Sequence, residues 1–272
     1  MIRDVLNTVN ELTKRGVTYP PELLTAHDVR VPLAKECLGY LVEGIKIKAG
    51  YFHWLTFLAR HSDAKLILEL GNRYGSSTIA LFHGLKQDQS LISMDIVKDQ
   101  RFLPKTVVAD KRVKLVYGDC LDLSAYCRHD LSIPVDIDIL WSDTVHYYDQ
   151  ISAEFQVYEP LLADEAIVAI DDIRLNDKGK FFTEAPYEKY DLTDVCHGSG
   201  FGVIHYVRPL DQRGRSRQER INIALERSTE IITARYWALL NEYEAYKARS
   251  LHLRARKTLG TLYRALRKAV KR

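Results

Sequence analysis

The sequence predicts an α/β fold in which a mostly parallel sheet with crossover helices ends in an antiparallel hairpin and carries helical additions at both ends. Three observations predict it. From Lys65 onward, short runs rich in Ile, Val and Leu alternate with segments of helical period, as strands and crossovers do in βαβ units. After Asp172 the rhythm changes to two short apolar runs about a Gly-Ser-Gly turn. The segments that flank this region, 1–60 and 215–272, read as helix.

Residues 1–60 are broken by Tyr19-Pro20-Pro21 and bring Tyr51, Phe52, His53 and Trp54 just before the sheet. Those aromatics either cover an acceptor site or pack the helix onto the sheet. Strands are expected at LILEL (66–70), LISMDI (91–96), VKLVYGD (113–119), DIDILWSD (136–143) and AIVAIDD (166–172). SSTIALFHGLK and YYDQISAEFQVYEPLL supply crossover helices. The polar segment RLNDKGKFFTEAPYEKYD precedes the hairpin, whose strands are expected at LTDVCH and FGVIHYV. The final stretch is rich in Ala, Leu, Arg and Glu, with Gly260 as its internal breaker. The expected division is a helical cover at 1–60, a sheet domain at 61–210 and a helical extension at 211–272.

With 272 residues and 46% apolar content the chain can bury a substantial core, which excludes a disordered protein. No run approaches the roughly 18 apolar residues of a membrane span, and MIRDVLNTVNELTKRG is amphipathic and mixed in charge, unlike a secretory signal. The expected location is the cytoplasm. Cys37, Cys120, Cys127 and Cys196 form no C-x-x-C pair, which argues against a disulfide framework or a cysteine zinc site. The net charge is +3, but ten cations and no acid lie between Lys247 and Arg272, leaving −7 for the rest.

ILELGNRYGSSTIAL (67–81) is a strand that ends at Glu69 and runs through two glycines into a helix. Gly71 and Gly75 let the backbone turn and approach a ligand, and Ser76, Ser77 and Thr78 offer capping hydroxyls. A plain strand-to-helix turn would look the same. Asp95 ends the next strand 20 residues past the second glycine, where a carboxylate can accept both ribose hydroxyls. Asp119 follows the third strand, placed to read an adenine amine or to cap the next turn.

In that order, ELGNRYGSST, SMDI, YGDCLD, SDTVHYYDQ and AIDDI resemble the motifs of class I S-adenosylmethionine-dependent methyltransferases, over roughly residues 60–208. The D-x-x-H-x-Y element and the Asp-Asp strand end are similar to the small-molecule and sugar O-methyltransferase branch. The resemblance implies a Rossmann-like sheet with S-adenosylmethionine at the carboxyl ends of strands one to four. Glu69, Gly71, Gly75 and Ser77 would then line the methionine side, Asp95 the ribose and Asp119 the adenine. Arg73 stands where many members have a middle glycine, and Ala163-Asp164-Glu165 where a Gly-Gly turn is common. A dehydrogenase is the rival, but G-x-G-x-x-G is absent and carboxylates suit a sulfonium better than a pyrophosphate.

Asp143 and His146 follow strand four, and Asp171 and Asp172 end strand five, so a parallel sheet brings all four to one edge. Asp143, Asp171 and Asp172 could hold Mg2+ or another divalent ion, and the resemblance to catechol-type enzymes points to the same three positions. His146 offers a general base. The nearby His197, His205, Tyr147 and Tyr148 read as packing.

Ile221, Leu225, Ile231, Ile232, Leu239, Leu240, Tyr243 and Tyr246 mark one helical face that a partner subunit or the domain itself must cover. Beyond it, Leu251, Leu253, Leu259, Leu262, Leu266 and Val270 alternate with the basic residues, as in an interfacial helix on anionic lipid. Nucleic acid is the competing partner, disfavoured by the acidic body. The expected activity is methyl transfer to a hydroxyl of a small molecule or glycan. A non-catalytic scaffold and an RNA methyltransferase are the alternatives.

Overall fold

The computed structural model describes residues 2–17, 50–98 and 103–270. Cys37, the Tyr19-Pro20-Pro21 break and the side chains of Tyr51 and of the basic tail lie outside the described residues. Among the described residues no helix is long and apolar enough to cross a membrane.

A seven-stranded sheet has the order β3-β2-β1-β4-β5-β7-β6, with β1 at Leu66–Leu70, β2 at Ser90–Asp95, β3 at Val113–Tyr117, β4 at Ile137–Ser142, β5 at Leu162–Asp171, β6 at Glu188–Asp191 and β7 at Phe201–Val207. Strands β1 to β5 pair in parallel, and β7 runs antiparallel to both β5 and β6. The mostly parallel sheet with its final antiparallel hairpin is therefore present. The chain moves outward from β1 to β3 and then returns to place β4 on the other side of β1. Such a reversal opens a crevice at the carboxyl ends of the two strands.

One apolar face unites the amino-terminal helix α1 (Ile2–Lys14), α2 (Gly50–His61) and α3 (Ser76–Gly84) with Ile67, Ile139 and Ile167 of the sheet. Leu6, Val9, Phe52 and Trp54 are buried there, so the aromatics of α2 that are described serve packing. Gly84 lets α3 press on α2: a Cβ at this position would lie 2.6 Å from both the Ala59 Cβ and the Thr56 carbonyl oxygen. The short helices α4 (Lys105–Val108) and α5 (Ser124–Arg128), together with α6 (Tyr148–Tyr158) and α7 (Lys178–Glu184), complete the crossovers.

The hairpin departs from expectation. Its first strand is Glu188–Asp191, whereas LTDVCH forms a single 3-10 turn at Thr193–Val195. Asp191 accepts the Thr193 amide at 2.9 Å and bends the chain out of the sheet, a competition that short acidic side chains often win. Strand β5 also begins earlier than expected, because Glu165 pairs with Val207 and the Arg208 amide donates to the Asp164 carbonyl at 2.8 Å. The acidic Asp164-Glu165 pair thus replaces a turn with strand.

The final helix α8 (Arg217–Val270) starts at a reciprocal cap. Glu219 accepts the Ser216 amide at 2.7 Å, and Ser216 Oγ accepts the Glu219 amide at 3.3 Å. Its first turns are tied down by Arg220, which donates to the Pro160 carbonyl at 2.7 Å, and by Ser228, which donates to the Leu121 carbonyl at 2.5 Å. Residues 1–228 form one compact unit and residues 229–272 a second. Gly260 does not interrupt the helix.

Candidate active site

The loop after β1 is built on two left-handed glycines, Gly71 at φ +86° and Gly75 at φ +88°. Both positions also exclude a side chain by contact: a Cβ on Gly71 would lie 2.1 Å from the Asp143 carbonyl oxygen, and one on Gly75 2.3 Å from Leu103. The first of these contacts fastens the β1 loop directly to the β4 loop. Arg73 is left-handed as well, at φ +41°, so the position where the family resemblance implies a glycine has a glycine-like backbone.

Glu69 is fully buried beneath this loop and accepts bonds from Ser77 Oγ at 2.5 Å and Thr78 Oγ1 at 2.6 Å. This corrects the expectation of capping hydroxyls, since Gly75 caps α3 without a side-chain bond and both hydroxyls turn inward to the carboxylate. Burial raises the Glu69 pKa to about 7, against the opposing pull of its hydroxyl donors. Asn72 and Ser93 extend the network, with Asn72 Nδ2 donating to Ser93 Oγ at 2.8 Å.

Asp95 accepts the Arg73 amide at 2.7 Å and the Val97 amide at 2.8 Å, one on each oxygen. It therefore ties the end of β2 to the glycine loop, and each oxygen keeps a further lone pair. Asp119 accepts the Leu121 amide at 3.0 Å, so it does form the local turn that the sequence allowed, using one of its two oxygens.

Asp143, His146, Asp171 and Asp172 gather at the carboxyl ends of β4 and β5, as the parallel topology requires. Asp172 turns back at φ +57°, a conformation that Asp tolerates, and its Oδ2 lies 3.2 Å from His146 Nδ1. Asp171 pairs with His197 at 2.8 Å. Burial drives the Asp143 pKa well above the usual carboxylate range, reinforced by the charge of Asp171 and opposed by that of Lys178. The Asp172 pKa rises for the same first reason, burial, and then through Asp171. For His197, burial lowers the pKa but the bond and charge of Asp171 outweigh it, leaving a net rise.

Ligand atoms of Asp143, His146 and Asp172 all lie within 4.8 Å of one another, as do those of Asp171, Asp172 and His197. Oxygen donors with one imidazole fit a divalent cation. The three carboxylates expected from the sequence are thus divided between two overlapping groups that share Asp172.

Three residues of this edge escaped the sequence reading. His197 comes from the connection between β6 and β7, where it meets Asp171 at 2.8 Å. His205, by contrast, is buried between Glu165 at 2.8 Å and Glu188 at 3.3 Å. Lys178 is fully buried at the start of α7. Glu154 is fully buried and accepts Ser142 Oγ at 2.6 Å, Thr144 Oγ1 at 2.5 Å and Gln150 Nε2 at 2.7 Å. These bonds hold the chain on both sides of Asp143. The signal for Glu154 was present, since an acid three residues after Ile151 and four before Tyr158 falls on the apolar face of its helix.

Comparison with known proteins agrees with this geometry. Residues 68–173 match the family model described as a methyltransferase domain. The O-methyltransferase hkm8 of Aspergillus hancockii is 24% identical over 133 residues, which are 47% of this chain and 48% of that protein. The chain therefore spans about half the length of this curated relative. The O-methyltransferase from Bacillus cereus in complex with SAH has the same fold at a TM-score of 0.50 and 16% identity, over 75% of this chain and 98% of that one. The SAH-bound methyltransferase PaMTH1 of Podospora anserina matches at a TM-score of 0.50 and 16% identity, over 74% and 96% respectively.

Proposed function

We propose that this chain, whose residues 68–173 match the methyltransferase-domain family model, is a class I, S-adenosylmethionine-dependent methyltransferase of the O-methyltransferase-like branch, and that it methylates a hydroxyl of a small molecule or glycan. One observation carries the reading: the close approach of Gly71 to the Asp143 carbonyl, where a Cβ would lie only 2.1 Å away, which supports a cofactor loop lying beside the acidic edge.

In this reading Gly71, Gly75 and Ser77 line the methionine side of S-adenosylmethionine above Glu69, Asp95 takes the ribose hydroxyls, and Asp119 takes the adenine amine. The acceptor hydroxyl lies against Asp143 and His146. The negative charge of Asp172, 3.2 Å from Nδ1 though not hydrogen-bonded to it, favours a proton on that nitrogen, which leaves Nε2 to accept the hydroxyl proton. The hydroxyl oxygen attacks the methyl carbon, the carbon–sulfur bond breaks, and S-adenosylhomocysteine leaves neutral at sulfur. Asp172, which both groups share, would with Asp143 or with Asp171 hold a divalent ion such as Mg2+, which when bound would lower the pKa of the acceptor hydroxyl. The protein's own contribution is orientation of the two reactants and removal of the proton.

The ends of the chain support two further elements. Ten cations without an acid between Lys247 and Arg272 suit an anionic membrane surface, and an acidic remainder disfavours nucleic acid. Tyr236, Trp237, Leu239, Tyr243 and Tyr246 are exposed and would suit a second copy of the chain.

Calorimetric titration with S-adenosylmethionine, with and without Mg2+, tests the reading against an Asp95→Ala variant. Saturable binding that weakens at least about tenfold in the variant is expected, because the variant loses the ribose acceptor and slackens the loop. No binding to well-folded wild type would overturn it and leave the scaffold alternative.

A further inference from the structure

We propose that Lys178 is the resident cation of the acidic edge, a positioning residue that balances Asp143 and Asp172 and competes with a divalent ion for their charge. Lys178 is fully buried, and the hydrogen bond that its ammonium makes among the described residues is a long one, 3.5 Å to the carbonyl oxygen of Ser142. Burying an ammonium that has three donors and one weak acceptor is costly unless negative charge lies close by. The nearby charge is the acidic edge. Ser142 immediately precedes Asp143, and the ammonium acts electrostatically on both Asp143 and Asp172.

The local fold fixes this position rather than permitting it. Asp177, just before Lys178, accepts the Tyr148 amide at 2.8 Å, which joins the start of α7 to the start of α6. Gly179, just after it, sits so close to Ile173 that a Cβ would lie 2.1 Å from the Ile173 carbonyl oxygen. The lysine is thereby held beside the end of β4, while His146 faces Asp172 and His197 faces Asp171. A fixed positive charge at that place does part of what a metal ion would do. It offsets the repulsion between Asp143 and Asp172, and it lowers the affinity of the edge for any second cation.

The test compares wild type with Lys178→Met, which keeps the stem and removes the charge, and with Lys178→Met/Asp143→Asn. The inference rests on reading this edge as the transfer site, yet the test uses Mn2+ and no S-adenosylmethionine, so either can fail without the other. Mn2+ should bind Lys178→Met about tenfold more tightly than wild type by calorimetry, and should raise its melting temperature by more. Asp143→Asn in the same chain should recover the melting temperature lost by Lys178→Met without metal. Equal Mn2+ affinity in wild type and Lys178→Met would overturn the proposal. So would a double variant that fails to fold while Asp143→Asn alone folds, because Lys178 would then be needed for packing and not for charge.

Discussion

The two edges of the sheet treat charge in opposite ways. At the amino-terminal edge, acids meet cations or amides: Arg208 pairs with Asp164 at 2.7 Å, Arg220 with Asp136 at 2.6 Å, and Asp138 accepts the Lys65 and Leu66 amides at 2.7 and 2.9 Å. His205 lies between two glutamates on that side. At the carboxyl-terminal edge, Asp143, Asp171 and Asp172 crowd together with two histidines and one buried lysine, and burial pushes Asp143 and Asp172 upward in pKa. The first edge is arranged for stability. The second tolerates repulsion, which a structural role does not require.

Paired substitutions separate the edges most sharply. Asp143→Asn should leave the melting temperature unchanged or higher, since the folded state already disfavours its charge, while methyl transfer falls by at least about 100-fold. Arg220→Met should do the reverse. It strips donors from the Pro160 and Leu162 carbonyls and leaves Asp136 unpaired, at a cost of about 3 kcal/mol, read as a fall in melting temperature with S-adenosylmethionine affinity retained. Loss of stability in Asp143→Asn of the same size as in Arg220→Met would erase the distinction.

Glu69 gives a subtler test through pH. Its folded pKa of about 7 lies above the ordinary 4.5, so folding favours the protonated form. The stability this contributes is complete below the unfolded value and is lost as pH rises through about 7, a change of about 3 kcal/mol. Between pH 5 and pH 8 the melting temperature of wild type should therefore fall relative to that of Glu69→Gln. A bound sulfonium and ammonium would favour the ionised form, so S-adenosylmethionine should stabilise wild type more at pH 8 than at pH 5. Parallel melting curves for the two proteins would remove Glu69 as the source.

Much of this edge was legible in the sequence because a parallel sheet sends every strand's carboxyl end to one side. Glu69, Asp95, Asp143 and the Asp171-Asp172 pair each end an apolar run, and topology does the rest. The strands β1 to β5 were equally plain. What was hidden depends on partners far apart in the chain. Lys178 sits in a polar stretch with nothing to mark it as buried, and His197 meets Asp171 only through the hairpin. Strand β6 was missed because Tyr190 is its one inward residue, so EKYD has no apolar alternation, while LTDVCH, which has it, is bent away by Asp191.

Arg73 marks the boundary between the two kinds of position, and its effect should be the smallest. Its backbone is left-handed, which costs a non-glycine residue about 1 kcal/mol, and its amide already does the visible work by donating to Asp95. The guanidinium stacks over the Tyr74 ring at 4.9 Å on an exposed surface, worth about 0.5 kcal/mol. Arg73→Gly relieves the strain, gives up that stacking and adds freedom to the unfolded chain, so the three terms nearly cancel and stability should move by less than about 1 kcal/mol. If only the amide matters, S-adenosylmethionine affinity stays level. A tenfold loss would mean instead that the guanidinium itself reaches the cofactor, and that the departure from glycine is a feature of this crevice and not a tolerated substitution.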